Sequence, residues 1–220
     1  TPLYSSAASD VYKRQTMDPS VKDAIARWPD VPAVFGWLSL DARGRWRLHP
    51  QGQAAQGGPG ESITNAQILG FINRNYEHDE AGRWFFQNGP QRVYLRLDAA
   101  PYVLRLSDDS RTLVTHTDAA VDTVSGWWLD DSGQLYAMTP LGPGIVLDRD
   151  LPALLDRLTT EKDAPLLDAL DGLTSGQAIG VKLPNAYPAA PLRLIDRRDL
   201  AATLGFQANP VDEAAPGRRE

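Results

Sequence analysis

"FGWLSLDARGRWRL", residues Phe35–Leu48, places two runs of β-forming residues around a turn that contains Asp41 and Gly44. An aspartate can open a tight turn by accepting backbone N–H hydrogen bonds, and glycine takes the left-handed position that follows. The segment therefore predicts a β-hairpin. The same pattern recurs in "DEAGRW" from Asp79 and in "SGWWLDDSGQLYAM", residues Ser125–Met138. We expect three hairpins that share one kind of turn.

A helix is predicted after the first and the third of these hairpins. In "ITNAQILGFINRNY", Thr64 can cap the helix, Gln67 completes a capping box, and Ile63 can pack against Ile68. Its apolar residues also recur at helical spacing. The counterpart, "VLDRDLPALLDRL", starts near Asp148 and has a proline in its first turn, where proline is tolerated. Each of the two matching hairpins thus leads into a helix.

Two further extended segments, Gln91–Leu106 and Gly176–Ile195, follow the two helices. In the first of them, Val93 and Leu95 alternate with polar neighbours, as in a strand with one buried face. A hairpin, a helix and a strand pair therefore occur twice. Each copy is too small to be stable alone, so we predict that the two pack together. The predicted fold class is α+β: two similar units of antiparallel strands with one helix each, plus short terminal helices.

The predicted organisation has five segments. These are an adapter-derived artefact, disordered, at 1–15, an N-terminal helix at 17–32, a first α+β unit at 33–110, a second at 111–206 and a disordered tail at 207–220. Pro19 suits the first position of the N-terminal helix. Back-translation of Ser5–Gln15 resembles a transposase-type sequencing-library adapter, so we exclude Thr1–Gln15 from the fold as a scar.

The composition excludes several classes of site and partner. The 220 residues include no cysteine, so neither a disulfide nor a thiolate metal site can form. No apolar run approaches the roughly 18 residues that span a bilayer, so we expect no membrane partner. No signal-peptide pattern follows Met17, and the expected location is the cytoplasm. The net charge of −6, most of it in the second half, argues against duplex nucleic acid as a partner.

The sequence contains no evident catalytic or metal-binding constellation. His49, His78 and His116 are not spaced as metal ligands, and no G-x-S-x-G motif is present. The stretch "GGPGES" lacks the Gly-Lys-Ser/Thr of a phosphate loop. Carboxylate pairs begin at Asp79 and Asp130 and could do acid–base work, but their turn positions also explain them. We predict no catalytic residue, no metal and no cofactor.

Arginines alternate with aromatic residues in the first unit. These residues are Arg45, Trp46, Arg47, Trp84, Arg92, Tyr94 and Arg96. Such a face could hold a phosphate or nucleotide through forked guanidinium contacts and ring stacking. Alternatively, the arginines form the solvated side of an antiparallel sheet whose tryptophans lie in the core. The sequence leaves both interpretations open.

The segment from "GRWRL" to "QRVYLRLDAAPY" resembles an uncharacterised proteobacterial family, a domain of unknown function. Members share a Gly-x-Trp hairpin and a strand "TPVEKVxIxVEDAPF", which here is "NGPQRVYLRLDAAPY". The family's Glu-Lys is therefore Gln91-Arg92, and its Glu-Asp is Asp98-Ala99. The resemblance covers Phe35–Leu106 best. It implies a duplicated α+β core, a second half similar to pleckstrin-homology folds, and a ligand site between the halves.

Two functions of different classes are consistent with the sequence. The leading hypothesis is a noncatalytic small-ligand-binding or regulatory module whose anionic or nucleotide-like ligand lies in a groove between the units. The alternative is a hydrolase or transferase that acts on a phosphorylated small molecule with carboxylates and a metal. The expected ligand-binding residues mix aromatic rings, cations and an acceptor: Trp84, Gln91, Arg92, Arg96, Asp98 and Tyr102. Strand alternation places Arg92, Arg96 and Asp98 on one face and Gln91 on the other.

Overall fold

The computed structural model describes residues 17–212. The predicted adapter-derived segment lies outside the described residues, as does the part of the predicted tail after residue 212. The helices are α1 (Pro19–Arg27), α2 (Ala66–Arg74), α3 (Leu151–Leu155), α4 (Leu166–Leu170) and α5 (Leu200–Leu204). The described part of the chain is mostly sheet with a few helices, which places it in the α+β class.

The strands form two sheets. The first contains β1 (Val34–Leu40), β2 (Trp46–Leu48), β3 (Glu61–Ser62), β4 (Tyr76–His78), β5 (Trp84–Asn88) and β6 (Gln91–Leu97). The second contains β7 (Tyr102–Leu106), β8 (Leu113–Thr115), β9 (Gly126–Asp130), β10 (Leu135–Thr139), β11 (Gly142–Val146), β12 (Thr159–Thr160), β13 (Ala178–Leu183) and β14 (Tyr187–Ile195).

Six strands of each sheet follow the same order. The first sheet runs β3-β2-β1-β6-β5-β4, and the second contains β11-β10-β9-β14-β13-β12. The directions agree as well, because β1 runs parallel to β6 and β9 runs parallel to β14, while the other neighbours in both series are antiparallel. The second sheet has two additional strands, since β7 pairs in parallel with β11 and β8 pairs with β7.

The structure corrects one part of the predicted unit. The segment Gln91–Leu106 does not form a strand pair, because β6 belongs to the first sheet and β7 to the second. In strand order, the counterpart of the β13–β14 hairpin is the β5–β6 hairpin instead. The change of sheet comes between Leu97 and Tyr102, whereas the predicted unit boundary at residue 110 falls between β7 and β8.

The three predicted hairpin turns are confirmed and share one geometry. In each, the aspartate N–H donates to the carbonyl four residues ahead at 2.9–3.1 Å, and the glycine N–H donates back to the aspartate carbonyl. The glycine φ angles are 77°, 73° and 81°, in the left-handed region that favours glycine. One carboxylate oxygen accepts two further backbone N–H groups in every turn. The aspartates are Asp41, Asp79 and Asp130.

Helix α2 begins slightly later than the sequence predicts. The Oδ1 atom of Asn65 accepts hydrogen bonds from the backbone N–H groups of Gln67 at 2.9 Å and Ile68 at 3.1 Å. Asn65 is therefore the cap, and not Thr64, because its side chain reaches the unpaired donors of the first turn. The structure also contains α4, which the sequence did not predict.

The apolar faces of the two sheets meet in one core. Its centre is aromatic: Tyr76 lies 5.1 Å from Trp46, 4.9 Å from Trp84 and 5.6 Å from Tyr102, measured between ring centroids. The ring of His116 lies 5.7 Å from that of Tyr102. Burial of each large apolar side chain contributes about 1.5–3 kcal/mol, so this contact holds the sheets together.

Residues after α5 pack on the first sheet. The N–H of Gln207 donates to the carbonyl of Gly82 at 2.9 Å, and the carbonyl of Ala208 accepts from the N–H of Leu97 at 2.7 Å. The predicted disordered tail starts at residue 207, whereas these hydrogen bonds fix the backbone at 207 and 208. No helix within residues 17–212 combines the length and apolar character needed to cross a membrane.

Candidate functional site

A cleft of about 650 Å³ opens between the two sheets, and we name it the inter-sheet cleft. One wall comes from β4 and β5, and the other from β7, β10 and β11. The start of α1 and the end of α5 border it. Its lining residues are Met17, Lys22, Tyr76, Glu77, His78, Trp84, Tyr102, Met138, Thr139, Pro140, Leu141, Gly142, Pro143, Leu204 and Gly205. Elements that are distant in the chain therefore meet at this cleft.

The aromatic part of the cleft is rigid. Trp84 and Tyr102 are 3% and 4% exposed, and their ring centroids lie 5.2 Å apart in an edge-to-face arrangement. The His78 ring packs on Trp84 at 4.7 Å. The hydroxyl of Tyr76 donates to the carbonyl of Pro101 at 2.8 Å, which fixes that ring. These contacts make a rigid aromatic floor for the cleft, and the exposed ring of His78 lies above it.

Glycine is required where the second sheet approaches this surface. A Cβ atom at Gly142 would lie 2.9 Å from Cζ2 of Trp84, and the φ angle of Gly142 is 137°. A larger residue would therefore meet the indole ring and also strain the backbone. The hydroxyl of Thr139 donates to the Gly142 carbonyl at 2.8 Å and holds the β10–β11 turn in shape. The cleft thus depends on a close approach between the two sheets.

Three polar side chains of the cleft have no partner among the described residues. Within residues 17–212, the hydroxyl of Tyr102 has no hydrogen-bond partner, and neither Lys22 nor Glu77 makes an ion pair. Burial raises the pKa of Tyr102, and the nearby carboxylate of Glu77 raises this pKa further. The hydroxyl is therefore protonated at neutral pH. The cleft offers a cation, a carboxylate and a hydroxyl to a ligand.

His78 adds a nitrogen acceptor at the mouth of the cleft. Its Nδ1–H donates to the carbonyl of Asp79 at 3.1 Å, so in the neutral ring Nε2 carries a lone pair. The side chain is exposed.

Helix α1 closes one side of the cleft and is lightly held. Val21 is its only buried residue. Next to the helix, the N–H of Asp18 donates to Oδ1 of Asn75 at 3.1 Å, and the carboxylate of Asp18 lies 3.4 Å from the guanidinium of Arg74 on α2. Since this ion pair is exposed, it contributes little. The position of Lys22 therefore depends on a few contacts of α1.

The structure brings only two of the six predicted ligand-binding residues together. Trp84 and Tyr102 line the inter-sheet cleft. Gln91 lines a different groove, beside α2, and its side-chain amide donates to the carbonyl of Pro32 at 3.1 Å. Arg92, Arg96 and Asp98 line neither cavity; they lie on the other face of the first sheet from the core. The six residues therefore do not form one wall.

The arginines of that outer face are held by the protein itself. The guanidinium of Arg96 pairs with Asp98 at 2.8 Å and donates to the carbonyls of Ala54 and Gly58 at 2.6 and 3.0 Å. It fixes the glycine-rich loop after β2. The guanidinium of Arg92 lies 4.6 Å from the Phe85 ring centroid. A phosphate at Arg96 would have to displace three existing contacts.

Sequence reasoning did not find Lys22, Glu77 or His78 as cleft residues. Glu77 and His78 lie on a three-residue strand, and Lys22 lies on α1. Their approach to Met138 depends on how the two sheets pack, which no local pattern encodes. The local signal for the cleft is Trp84, which ends the second turn motif, "DEAGRW".

The alternative of a metal-dependent enzyme requires converging ligands. Across residues 17–212, no three His, Asp or Glu side chains come together as a metal site would require. Asp98, a carboxylate that such an enzyme could use, forms an ion pair with Arg96.

Comparison with known proteins yields two matches of unknown function. No curated protein matches the chain. A solved structure of a DUF1285 family protein from Silicibacter pomeroyi DSS-3 is 14% identical, covers 84% of this chain and 93% of its own, and superposes with a TM-score of 0.46. The family model DUF2944, described as "Protein of unknown function (DUF2946)", matches residues 17–211. The chain therefore belongs to this family of unknown function.

Proposed function

We propose that the protein is a noncatalytic module that binds a small anionic or nucleotide-like ligand in the inter-sheet cleft. The observation that carries this proposal is a cleft with a rigid aromatic floor, Trp84 with Tyr102, beside three polar groups that have no partner within the described residues. Cavities of this size, mostly apolar with a few convergent polar groups, are typical ligand sites.

Each group in the cleft has a role in this proposal. The ligand's planar ring packs against the exposed ring of His78, which itself rests on Trp84. Its anionic group pairs with the ammonium of Lys22, and a donor on the ring meets Glu77. The hydroxyl of Tyr102 donates to a ring acceptor, because burial keeps this hydroxyl protonated. Lys22 and Glu77 together favour a ligand with an anionic end and a donor-bearing ring.

The proposal also includes an origin for the cleft. The shared order and direction of six strands support a duplication, in which the ligand occupies the junction of the two copies. A likeness of the second half to pleckstrin-homology folds remains a prediction.

A thermal-shift screen with nucleoside monophosphates, nucleoside triphosphates and inorganic phosphate tests the proposal. A ligand at one hundred times its Kd stabilises a protein by about 2.7 kcal/mol, which corresponds to about 5–10 °C in Tm for a chain of this size. At least one nucleotide should give such a shift. Absence of any shift across the panel, or turnover of a phosphoester in the presence of Mg²⁺, contradicts a noncatalytic nucleotide-binding module.

Calorimetry with the best ligand then locates the site. Lys22→Gln should weaken binding by about 1.5–3 kcal/mol, the scale of a lost hydrogen bond to a charged group. Lys162→Gln, at an exposed lysine far from the cleft lining, is the matched control and should bind like the parent. Arg92→Ala decides whether the site extends to the outer face. A loss with Arg92→Ala and none with Lys22→Gln would move the site away from the cleft.

A further inference from the structure

A second cavity lies beside α2, on the side of the first sheet that faces this helix. Its volume is about 710 Å³, and its lining is predominantly apolar. The walls include Leu38 on β1, Leu48 on β2, Ile63 after β3, and Ile68 on α2. We name it the β3 groove, because β3 forms one rim. It is separate from the inter-sheet cleft and shares no lining residue with it.

The β3 groove concentrates the exposed apolar surface of the molecule. Six large apolar side chains are exposed among residues 17–212, and three of them line this groove: Trp37 at 44%, Leu48 at 40% and Ile68 at 49%. A contiguous apolar patch with a polar rim is typical of a protein interaction site.

The rim of the groove is an unpaired strand edge. β3 is the last strand of its sheet. The N–H of Ile63 donates to the carbonyl of Trp46 on β2, so the alternation of a strand directs the N–H and carbonyl of Ser62 away from β2. Exposed backbone groups of this kind accept an additional strand.

The second sheet shows what occupies the equivalent edge. β11 holds the position in its sheet that β3 holds in the first, and β7 runs parallel to it. The carbonyl of Leu104 accepts from the N–H of Leu147 at 2.8 Å, and the Leu104 side chain is fully buried. A Cβ at Gly144 would lie 2.7 Å from Cγ of Leu104, which shows how closely the added strand packs.

We propose that the β3 groove binds an extended peptide segment of another protein, paired in parallel with β3 as β7 is paired with β11. Apolar side chains at alternate positions of the peptide enter the groove next to Leu48 and Ile68. The groove lining contains one carboxylate, Glu61, and no cationic side chain. The fitting peptide therefore carries a basic residue near Glu61. This mode of recognition combines main-chain hydrogen bonds for affinity with side-chain pockets for specificity.

Panning of a phage-displayed library of random dodecapeptides on the folded full-length chain tests the proposal. Enriched peptides should share alternating apolar residues with a neighbouring Lys or Arg. Ile68→Glu should weaken them at least about tenfold. Leu167→Glu is the matched control, because Leu167 is 48% exposed on another short helix and lies outside the groove. It should leave binding within about twofold of the parent. If Ile68→Glu alters the circular dichroism spectrum, Leu48→Ser replaces it.

N-methylation of alternate peptide amides separates strand pairing from simple apolar contact. Methylation of the amides that face β3 should abolish binding, whereas methylation of the others should leave it unchanged. Three results overturn the proposal: no enriched peptide, enriched peptides that bind Ile68→Glu as well as the parent, or insensitivity to every N-methyl group. A dimer of the protein that Ile68→Glu dissociates also overturns it, because the groove would then hold a second copy of this chain.

Discussion

The two sheets differ most at the strand that precedes their helix. β11 is five residues long and is covered by β7, while β3 is two residues long and ends its sheet. Beside β11, Leu104 is fully buried; beside β3, Leu48 and Ile68 remain 40% and 49% exposed. The two sheets therefore share one strand order, but the strand that covers one edge decides how much apolar surface stays exposed.

The matching hairpin turns show a similar contrast. In the first sheet, Oδ2 of Asp41 pairs with Arg45 and Arg47 at 2.8 and 2.9 Å. In the second, Oδ2 of Asp130 accepts from the hydroxyl of Tyr136 at 3.3 Å, and Asp130 is 5% exposed. Partial burial raises the pKa of Asp41, but hydrogen bonds from the Arg45 N–H and the arginines outweigh it and lower that pKa overall. One turn is thus a partly buried ionic cluster and the other a buried network.

The largest expected effect comes from truncating a buried side chain of β7, the strand that covers β11. Leu104→Ala should lower the free energy of unfolding by about 2–5 kcal/mol, because it leaves a cavity beside β11. Leu48→Ala, in the uncovered sheet, should cost less than about 1 kcal/mol, since this side chain is already partly exposed. Urea unfolding of both variants measures the difference. Equal losses would show that β7 does not protect the second sheet as described.

Substitutions in the hairpin turns should lower the free energy of unfolding by less than Leu104→Ala does, and the two turns should differ. Asp130→Ala leaves the N–H groups of Ser132 and Gln134 and the hydroxyl of Tyr136 without an acceptor, and should cost about 2–3 kcal/mol. Asp41→Ala should cost about 1 kcal/mol, because water can reach the N–H groups of Arg43 and Arg45 in this partly buried turn. The midpoints of urea unfolding of the two variants measure this difference. A costlier Asp41→Ala would mean that the ionic cluster of the first turn dominates.

A histidine at the junction between the sheets, His116, should make the free energy of unfolding depend on pH. The size of this effect should be similar to that of the turn variants or smaller. Burial lowers the pKa of His116 to about 3, while its value in an unfolded chain is about 6.5. Below pH 6.5 the unfolded state binds a proton that the folded state does not. Stability should therefore fall by about 2 kcal/mol between pH 7 and pH 5 from this residue alone.

His116→Gln should remove that part of the slope. Its Nδ1 atom accepts from the N–H of Val103 at 3.3 Å, a role that the glutamine carbonyl can take. His49, whose pKa burial also lowers, is present in both proteins, so its effect cancels in the comparison. Parallel pH profiles of parent and variant would show that His116 is not the group that titrates.

The sequence was sufficient to predict those features that depend only on residues close together in the chain. The Asp and Gly of each hairpin turn specify hydrogen bonds within five residues, and the turns were predicted correctly. The pairing of β6 with β7 was predicted wrongly. Both segments have the alternation of a strand, and alternation does not determine which strand each one pairs with. Tyr102 lies in the second sheet because of how the two sheets pack, which the local sequence does not determine.

The candidate site could be predicted only in part for a related reason. Trp84 and Tyr102 both line the inter-sheet cleft, but the cations expected beside them lie elsewhere. Arginines on the outer face have acidic partners close in sequence, such as Asp98 for Arg96 and Asp41 for Arg45, so they neutralise each other. The unpaired cation of the cleft, Lys22, comes from α1, far from the strands it faces.

The two methionines allow the most direct test of the central claim, that a small ligand binds between the sheets. The chain has only Met17 and Met138, and both line the inter-sheet cleft. Protein labelled with ¹³C at the methionine methyl groups therefore gives two NMR signals that both report on this cleft. Titration with the nucleotide that stabilises the protein most should shift the Met138 signal in a saturable way, and Lys22→Gln should require more ligand. A nucleotide that binds by calorimetry while both methionine signals stay unchanged would contradict the account.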